Sequence, residues 1–380
     1  MLGEGMKKSY IKLVLFIFFF GLLFILNGIW LKFLSMGTMC LLLIFMSFIF
    51  YTLCGYEKDR HRYVREIGLE IIITMLTFFL LYYILGIFIG FAKGSNILSL
   101  SLVTRVIIPT FIYIVIKELL RYQMVMKGSL SKILLTLVCI FFIVMDICIP
   151  LSNHPLTFNR EMFLLLSITI VPLITENILC TYLALNFGYK PSMLYLIIMC
   201  LFRYMPIIPN PNYYLYSLIF FLFPLFVLYR VDRWLKRDRT EEEVMLSYRK
   251  RKRQVYLYLV PIVVTGVAVY FVSGYFRFYA IAIASGSMED VISKGDVVIV
   301  DTKYDNINIG DVIAYNYENR IVVHRVFRIV DSGNVYYIYT KGDANSEYDK
   351  YKISKNMVIG VTKAKIPLIG YPTVLLNEKW

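Results

Sequence analysis

A short turn of small and polar residues in the last third of the chain has the residue types for nucleophilic catalysis. Ser285, Gly286 and Ser287 follow an apolar run that ends at Ala284, which predicts a serine hydroxyl at the end of a strand. The small neighbours would let a substrate backbone come close to that hydroxyl. Serine is nevertheless common in turns, so this motif alone does not distinguish a nucleophile from a turn residue.

Candidate partners for this serine lie downstream, since a nucleophile needs a base for its proton and a group that orients the base. His324 is the only histidine after residue 154, and it lies in the apolar strand pattern 322–326. Neutral imidazole accepts protons near neutral pH, although a single histidine on an apolar strand is usually a core residue. Asp343 and Asp349 follow in a stretch rich in turn residues, where either is also plausible as a plain turn aspartate.

Five motifs in this part of the chain occur in the order found in the signal peptidase I family, which residues from about 276 to 380 resemble. They are Ser-Gly-Ser-Met-Glu-Asp (285–290), Gly-Asp-Val-Val-Ile-Val (295–300), Gly-Asp-Val-Ile-Ala-Tyr (310–315), Ile-Val-Val-His-Arg-Val (321–326) and Lys-Gly-Asp-Ala-Asn (341–345). Histidine stands where the common bacterial branch has lysine. The sequence is therefore more similar to the endoplasmic-reticulum and archaeal branch, which also occurs in some Gram-positive bacteria.

The resemblance implies a serine endopeptidase with a β fold that removes signal peptides from exported precursor proteins. It implies that Ser287 is the nucleophile, His324 the general base and Asp349 the acid that orients the base. Asp343, a second acidic position, would support the active-site loop, although the resemblance leaves open which aspartate orients His324. The Ser285 hydroxyl and the Ser287 amide would form the oxyanion hole. Neither a cofactor nor a metal ion is expected.

The sequence departs from the family pattern at two positions. Asp290 stands where the family often has proline, and Ala344 replaces the first Asn of Lys-Gly-Asp-Asn-Asn. Neither change removes a reactive group, but the Asp290 carboxylate adds a charge near the expected substrate groove. The resemblance implies small residues at the first and third positions before the cut. An extended precursor would then pair as an added strand beside residues 280–285.

The composition is typical of an integral membrane protein. Of the 380 residues, 59% are hydrophobic and 17% charged, which is too apolar for a soluble protein. The net charge of +14 lies almost wholly before residue 275, in the loops between apolar runs. This bias indicates positive-inside topology rather than nucleic-acid binding. All six cysteines precede residue 201, so no disulfide is expected in the C-terminal part.

Nine apolar stretches are predicted to cross the membrane, since each helical crossing needs about 20 apolar residues. They lie near 11–31, 34–54, 69–91, 104–120, 133–151, 162–187, 192–208, 213–229 and 256–274. With the N-terminus in the cytoplasm, most basic residues fall in inner loops, Lys117 and Arg121 among them. The odd number of crossings then places residues 275–380 outside the cell membrane.

The sequence thus predicts a multi-pass α-helical membrane region followed by an all-β extracytoplasmic domain. Residues 1–255 would form the membrane region, with a basic cytoplasmic loop at 230–255, residues 256–274 the final anchor, and residues 275–380 the protease domain. Strands of this domain are predicted at 279–284, 297–301, 312–317, 321–330, 335–340 and 357–363.

Three ionisable residues fall inside the predicted helices, where charge is costly: Asp146, Glu176 and Arg203. Their heights along the helices favour an ion pair of Asp146 with Arg203, as a structural clamp rather than a transport path.

The bundle leaves room for other functions. One alternative is a membrane transporter or scaffold protein that carries a protease-like binding module, and another is a self-cleaving regulator, against which the topology argues. The expected partners are secretory precursors and membrane lipid, without nucleic acid, and the sequence identifies no membrane protein subunit.

Overall fold

The computed structural model describes residues 2–28, 36–93, 102–152, 160–236, 241–318, 320–331, 336–371 and 373–374. The chain divides into two compact units. One comprises residues 1–79, 94–206 and 211–259, and the other comprises residues 80–93, 207–210 and 260–380. The first unit is built from helices, and the second contains the β domain that carries the candidate catalytic residues.

The apolar runs form helices, and each predicted crossing contains one. Helices occupy Leu2–Leu26, Met36–Cys54, Val64–Ile89, Ile108–Gly128, Lys132–Ser152, Arg160–Leu165, Val171–Phe187, Tyr189–Arg203, Tyr213–Leu235, Glu241–Leu257 and Leu259–Val272. Two π-helical segments, Val103–Ile107 and Leu166–Ile170, continue directly into helices Ile108–Gly128 and Val171–Phe187. The predicted end of the first crossing, 29–31, and the predicted start of the second lie outside the described residues.

Seven helical stretches in the described part of the chain are long and apolar enough to span a membrane. The other two predicted crossings fall on Ile108–Gly128, which is interrupted by charged residues, and on Tyr189–Arg203, which has only 15 residues. A count of nine crossings therefore stays a prediction. Lys117 and Arg121 are 5% and 0% exposed within helix Ile108–Gly128, so their assignment to an inner loop is wrong.

Helix Val171–Phe187 lies in the middle of the helical unit and packs against Ile108–Gly128, Lys132–Ser152, Tyr189–Arg203 and Tyr213–Leu235. The predicted pairing of Asp146 with Arg203 is wrong. The Asp146 carboxylate instead forms a salt bridge with Lys117, at 3.1 Å. The sequence does not indicate the Asp146–Lys117 pair, because the charge pattern places Lys117 in a loop.

The β domain is a seven-stranded sheet in which every neighbouring pair is antiparallel. The strands are β3 (Phe278–Ala282), β4 (Val297–Asp301), β5 (Val312–Tyr317), β6 (Arg320–Asp331), β7 (Tyr336–Lys341), β8 (Ile353–Ser354) and β9 (Val358–Ile366), in the order β3-β4-β9-β5-β6-β7-β8. All six predicted strands are present within about three residues. The sequence missed β8, which has only two residues, and the separate two-stranded sheet of β1 (Phe91–Lys93) and β2 (Ile207–Pro209).

Two apolar clusters form the core of the β domain. One gathers β3, β4 and the turn after β3 around Val298, Val300 and Met288, and the other gathers β5, β6 and β7 around Ile313, Tyr315 and Ile338. Three register shifts interrupt the ladders of β4 with β9, β5 with β9 and β6 with β7. Such bulges bend a sheet and re-aim its side chains.

Candidate active site

The turn that carries Ser287 is fixed at both ends. After β3 the Ile283 amide donates to the Asp296 carbonyl at 2.9 Å, and the Ile283 carbonyl accepts from the Gly295 amide at 2.8 Å. These two bonds keep the chain extended there. Met288, 1% exposed, packs into the core next to the serine. Ser287 itself stays half-buried, so its hydroxyl is held in place and yet accessible.

Three side chains from separate parts of the domain form one hydrogen-bonded series. Ser287 Oγ lies 3.1 Å from His324 Nε2, and His324 Nδ1 lies 2.7 Å from Asp349 Oδ2. His324 is 7% exposed on β6, so this ring is held on both sides. The structure therefore brings together Ser287, His324 and Asp349, in the order that passes a proton from a hydroxyl to an imidazole oriented by a carboxylate.

The Asp349 carboxylate is held by hydroxyl groups that the sequence did not single out. Thr340 Oγ1 donates to Asp349 Oδ2 at 2.6 Å, and Tyr315 OH donates to the same oxygen at 3.3 Å. Burial raises the pKa of Tyr315, so its phenol keeps its proton and remains a donor. Thr340 and Tyr315 are both fully buried. Threonine and tyrosine are ordinary strand residues, and nothing in their spacing could have marked these two.

Asp343 does not contact His324. Its carboxylate accepts two hydrogen bonds from Arg325. Nε donates to Oδ1 at 2.9 Å, and Nη2 donates to Oδ2 at 2.7 Å. These bonds raise the pKa of Arg325, which also donates to the Gly310 carbonyl at 2.8 Å. Arg325 follows His324 on β6, and neighbouring side chains on a strand point to opposite faces. Asp343 thus ties its loop to β5 and β6 rather than to the imidazole.

The loop after β7 also contacts the serine turn directly. The Ala344 amide donates to the Ser287 carbonyl at 3.0 Å, and the Asp343 amide donates to Met288 Sδ at 3.4 Å. A Cβ on Gly342 would lie 2.5 Å from the Ser287 carbonyl oxygen. Only glycine at position 342 therefore lets the loop approach the turn so closely.

The groups expected to form an oxyanion hole lie at the exposed side of the turn. Ser285 Oγ is 3.3 Å from Ser287 Oγ. In the described part of the chain, no acceptor is bonded to the Ser287 amide. A hydroxyl and an unoccupied amide next to the nucleophile are the kind of donors that stabilise a negatively charged oxygen.

Asp290 has a backbone conformation that explains its departure from the family pattern. It is exposed, and its φ is +80°, in the left-handed region. Proline is restricted to φ near −65°, so the turn as built here excludes it. Aspartate tolerates the left-handed region better than most residues.

A metal centre has no support from the geometry of the described residues. Among them, no group of three or more His, Cys, Asp and Glu side chains lies close enough to hold a metal ion.

The matches to known proteins lie in the C-terminal part of the chain. Residues 267–363 match the family model described as Peptidase S24-like. Over 108 residues the chain is 36% identical to the signal peptidase complex catalytic subunit SEC11 of Yarrowia lipolytica. The C-terminal domain is similar to signal peptidase catalytic subunits. The same subunit of Scheffersomyces stipitis and that of Lodderomyces elongisporus are each 32% identical to the chain over 108 residues.

These alignments set the extent of the similarity. They cover 26% of this chain and 63% to 65% of the length of the relatives. The similarity therefore extends over about the last third of the sequence at most, and these comparisons leave the helical unit uncovered. The resemblance stated from the five sequence motifs is confirmed for this domain.

Proposed function

We propose that this protein is a membrane-bound serine endopeptidase that removes signal peptides from exported precursor proteins. The observation that carries the proposal is the series Ser287 Oγ, His324 Nε2, His324 Nδ1 and Asp349 Oδ2, with distances of 3.1 Å and 2.7 Å. The similarity of the surrounding domain to signal peptidase catalytic subunits supports the same activity.

In the proposed reaction, His324 Nε2 takes the proton of Ser287 as its oxygen attacks the scissile carbonyl carbon. The His324 Nδ1–H donates to Asp349, which stabilises the imidazolium that forms. The Ser285 hydroxyl and the Ser287 amide donate to the oxyanion of the tetrahedral intermediate. His324 then gives its proton to the leaving amine, and a water activated by the same imidazole hydrolyses the acyl-enzyme.

The sheet order supports the proposed substrate position. β3 is an edge strand, since β4 is its one partner among the described strands, and it runs into the Ser287 turn. An extended precursor can add to the free edge of β3 as a further strand, beside residues 280–285. Such pairing is independent of sequence, which suits an enzyme whose substrates share only small residues before the cut.

We also propose the arrangement in the membrane. Residues 1–255 are a multi-pass membrane region with nine crossings counted through 274, residues 256–274 are the final anchor, and residues 275–380 are the extracytoplasmic protease domain. Helix Leu259–Val272 is separated from β3 by residues 273–277 alone. So short a connection keeps the active site near the outer membrane surface, where a precursor presents its cleavage site. Secretory precursors and membrane lipid are the proposed partners.

The activity is tested with the full chain reconstituted in liposomes and a precursor that has small residues before the cut. We expect Ser287→Ala to abolish cleavage, because it removes the hydroxyl that is hydrogen-bonded to His324 Nε2. Ser346→Ala, an exposed serine of the same domain, is the matched control and should cleave like the wild type. Cleavage by Ser287→Ala at a rate near that of the wild type would contradict the proposal.

A further inference from the structure

The helical unit contains a partly open cavity of about 560 Å³. It lies among helices Ile108–Gly128, Lys132–Ser152, Val171–Phe187, Tyr189–Arg203 and Tyr213–Leu235. Its lining is mostly apolar, with four charged side chains: Lys117, Asp146, Glu176 and Arg203. A volume of roughly 300–1,000 Å³, an apolar lining and a few polar groups are the usual features of a small-molecule site.

Two of the four charges are fully satisfied by the protein. Asp146 accepts from Tyr113 at 2.6 Å, from Lys117 at 3.1 Å and from Asn177 at 2.9 Å. Lys117 and Asp146 have 6% and 7% of their side chains exposed. A buried ion pair with this many hydrogen bonds needs no ligand to neutralise it. We therefore assign Lys117 and Asp146 to helix packing rather than to ligand binding.

The other two charges lack such partners. Glu176 is half-buried and Arg203 is exposed. They interact electrostatically, but neither makes a hydrogen bond or salt bridge to another residue that the structure describes. Charges without hydrogen bonds in an apolar bundle are costly, and a ligand that bonds to them lowers that cost.

Irregularities in three helices meet at this cavity. Pro150, Pro172 and Pro224, from three different helices, all line it, and so do Ile168 and Thr169 of the π-helical segment Leu166–Ile170. Proline and π-helical turns interrupt the hydrogen-bond ladder of a helix, and π-helical turns are frequent at functional sites. Their convergence places the irregular parts of these helices around one cavity.

We propose that this cavity binds an amphipathic zwitterion. Its ammonium group pairs with Glu176, its acidic group pairs with Arg203, and its apolar part lies along Leu165, Leu196 and Met199. An aminophospholipid and a free amino acid with an apolar side chain share this chemistry. The site is separate from the proposed protease activity, and it gives the helical unit a function of its own.

The test uses the full chain in detergent with two probes, short-chain phosphatidylethanolamine and free leucine, and titration calorimetry as the measurement. We expect one probe to bind the wild type, and Glu176→Gln and Arg203→Gln to weaken that binding by about tenfold or more, as for hydrogen bonds to charged groups. Lys127→Gln is the matched control, because it removes the ion pair of Lys127 with Glu57 outside the cavity. The Lys127→Gln variant should bind the probe with the same affinity as the wild type.

The probes also test the proposal without any substitution. Phosphatidylglycerol and isocaproate lack the ammonium group, and each should bind the wild type at least about tenfold more weakly than its ammonium-bearing counterpart. Binding of phosphatidylethanolamine alone identifies a lipid site, and binding of leucine alone identifies a solute site. Failure of both probes to bind at millimolar concentration overturns the proposal. So does equal binding of probes with and without the ammonium group.

Discussion

At the scale of single residues, the two candidate aspartates differ in what their carboxylates contact. Asp349 accepts from His324, Thr340 and Tyr315, whereas Asp343 is occupied by Arg325. The sequence left open which of them orients the imidazole, because both follow the same glycine block in turn-like surroundings. The contacts now support Asp349 in that role and Asp343 as the residue that fixes the loop.

Replacing each aspartate in turn separates these roles. Asp349→Asn should lower kcat by about 10³- to 10⁴-fold, because an amide favours the wrong tautomer of the histidine. Asp343→Asn should lower kcat by no more than about tenfold and lower the melting temperature, because Arg325 loses a charged partner. Precursor cleavage and thermal unfolding of the same preparations are the two measurements. Equal losses of kcat in the two variants would rule out the assignment.

The residues that converge at the candidate site could be predicted from the sequence because the motifs occur in the order of a known family. The local residue pattern alone does not identify them. Ser287, His324 and Asp349 are far apart in the chain, and no periodicity links them. The supporting hydroxyls of Thr340 and Tyr315 were missed since their role depends on how β5 and β7 lie in the sheet. Arg325 was read as part of a motif, and its pairing with Asp343 depends on the close approach of two loops.

At the scale of elements, strands were easier to predict than the environment of helices. Runs of β-branched residues bounded by turns mark β4, β5 and β6 closely. Positive charge alone, however, does not distinguish a loop lysine from one that is paired inside a bundle. Lys117 and Arg121 were assigned to a loop for that reason, although Asp146 and Glu118 neutralise them within the helices.

The contact between the loop after β7 and the serine turn makes a further prediction. Gly342→Ala should lower kcat/KM by roughly 10- to 100-fold, because its Cβ meets the Ser287 carbonyl and displaces the nucleophile by a fraction of an ångström. Gly266→Ala is the control, as no atom lies within 4 Å of the added Cβ. Wild-type rates for Gly342→Ala would show that the close approach has no bearing on activity.

The start of β3 and the end of β4 are joined by an ion pair that makes stability depend on pH. Arg277 donates to buried Asp301, and these hydrogen bonds lower the pKa of Asp301. The folded state thus favours the charged carboxylate. Its stabilising effect is fully present above the unfolded aspartate pKa of about 3.9, and it is lost as the pH falls through the lowered folded value.

Asp301→Asn should therefore lower the melting temperature at pH 7 and lose part of the decrease that the wild type shows on acidification. Thermal unfolding of the full chain in detergent at neutral and acidic pH measures both effects. Glu347→Gln, at an exposed position of the same domain, should retain the wild-type pH dependence. An unchanged acid profile in Asp301→Asn would mean that another carboxylate is responsible.

At the scale of the whole molecule, the number of crossings matters less than its parity. In the described part of the chain, seven apolar stretches meet the length and composition needed to span a membrane, and nine are predicted from the sequence. Both numbers are odd, so the proposed topology, with residues 275–380 on the side opposite the N-terminus, is compatible with either. The basic stretch before the last helix favours the cytoplasm for residues 230–255.

This topology is tested with single cysteines and a maleimide that does not cross membranes. Glu347→Cys in the β domain should react in intact cells, and Lys252→Cys in the basic stretch should react only after the membrane is permeabilised. The unsubstituted chain is the background control, because its six cysteines are free and lie in the helical unit. The reverse labelling pattern would place the protease domain in the cytoplasm.

The left-handed conformation of Asp290 has a consequence for finding related enzymes. A search pattern that demands proline after Ser-Gly-Ser-Met-Glu would pass over this chain, although its serine, histidine and aspartate are aligned in space. Changing Asp290 to proline in this protein would also require the neighbouring peptide planes to rotate. Sequences with aspartate at this position and sequences with proline there are therefore expected to differ in the geometry of the turn. Related enzymes can be grouped by this difference in the nucleophile loop.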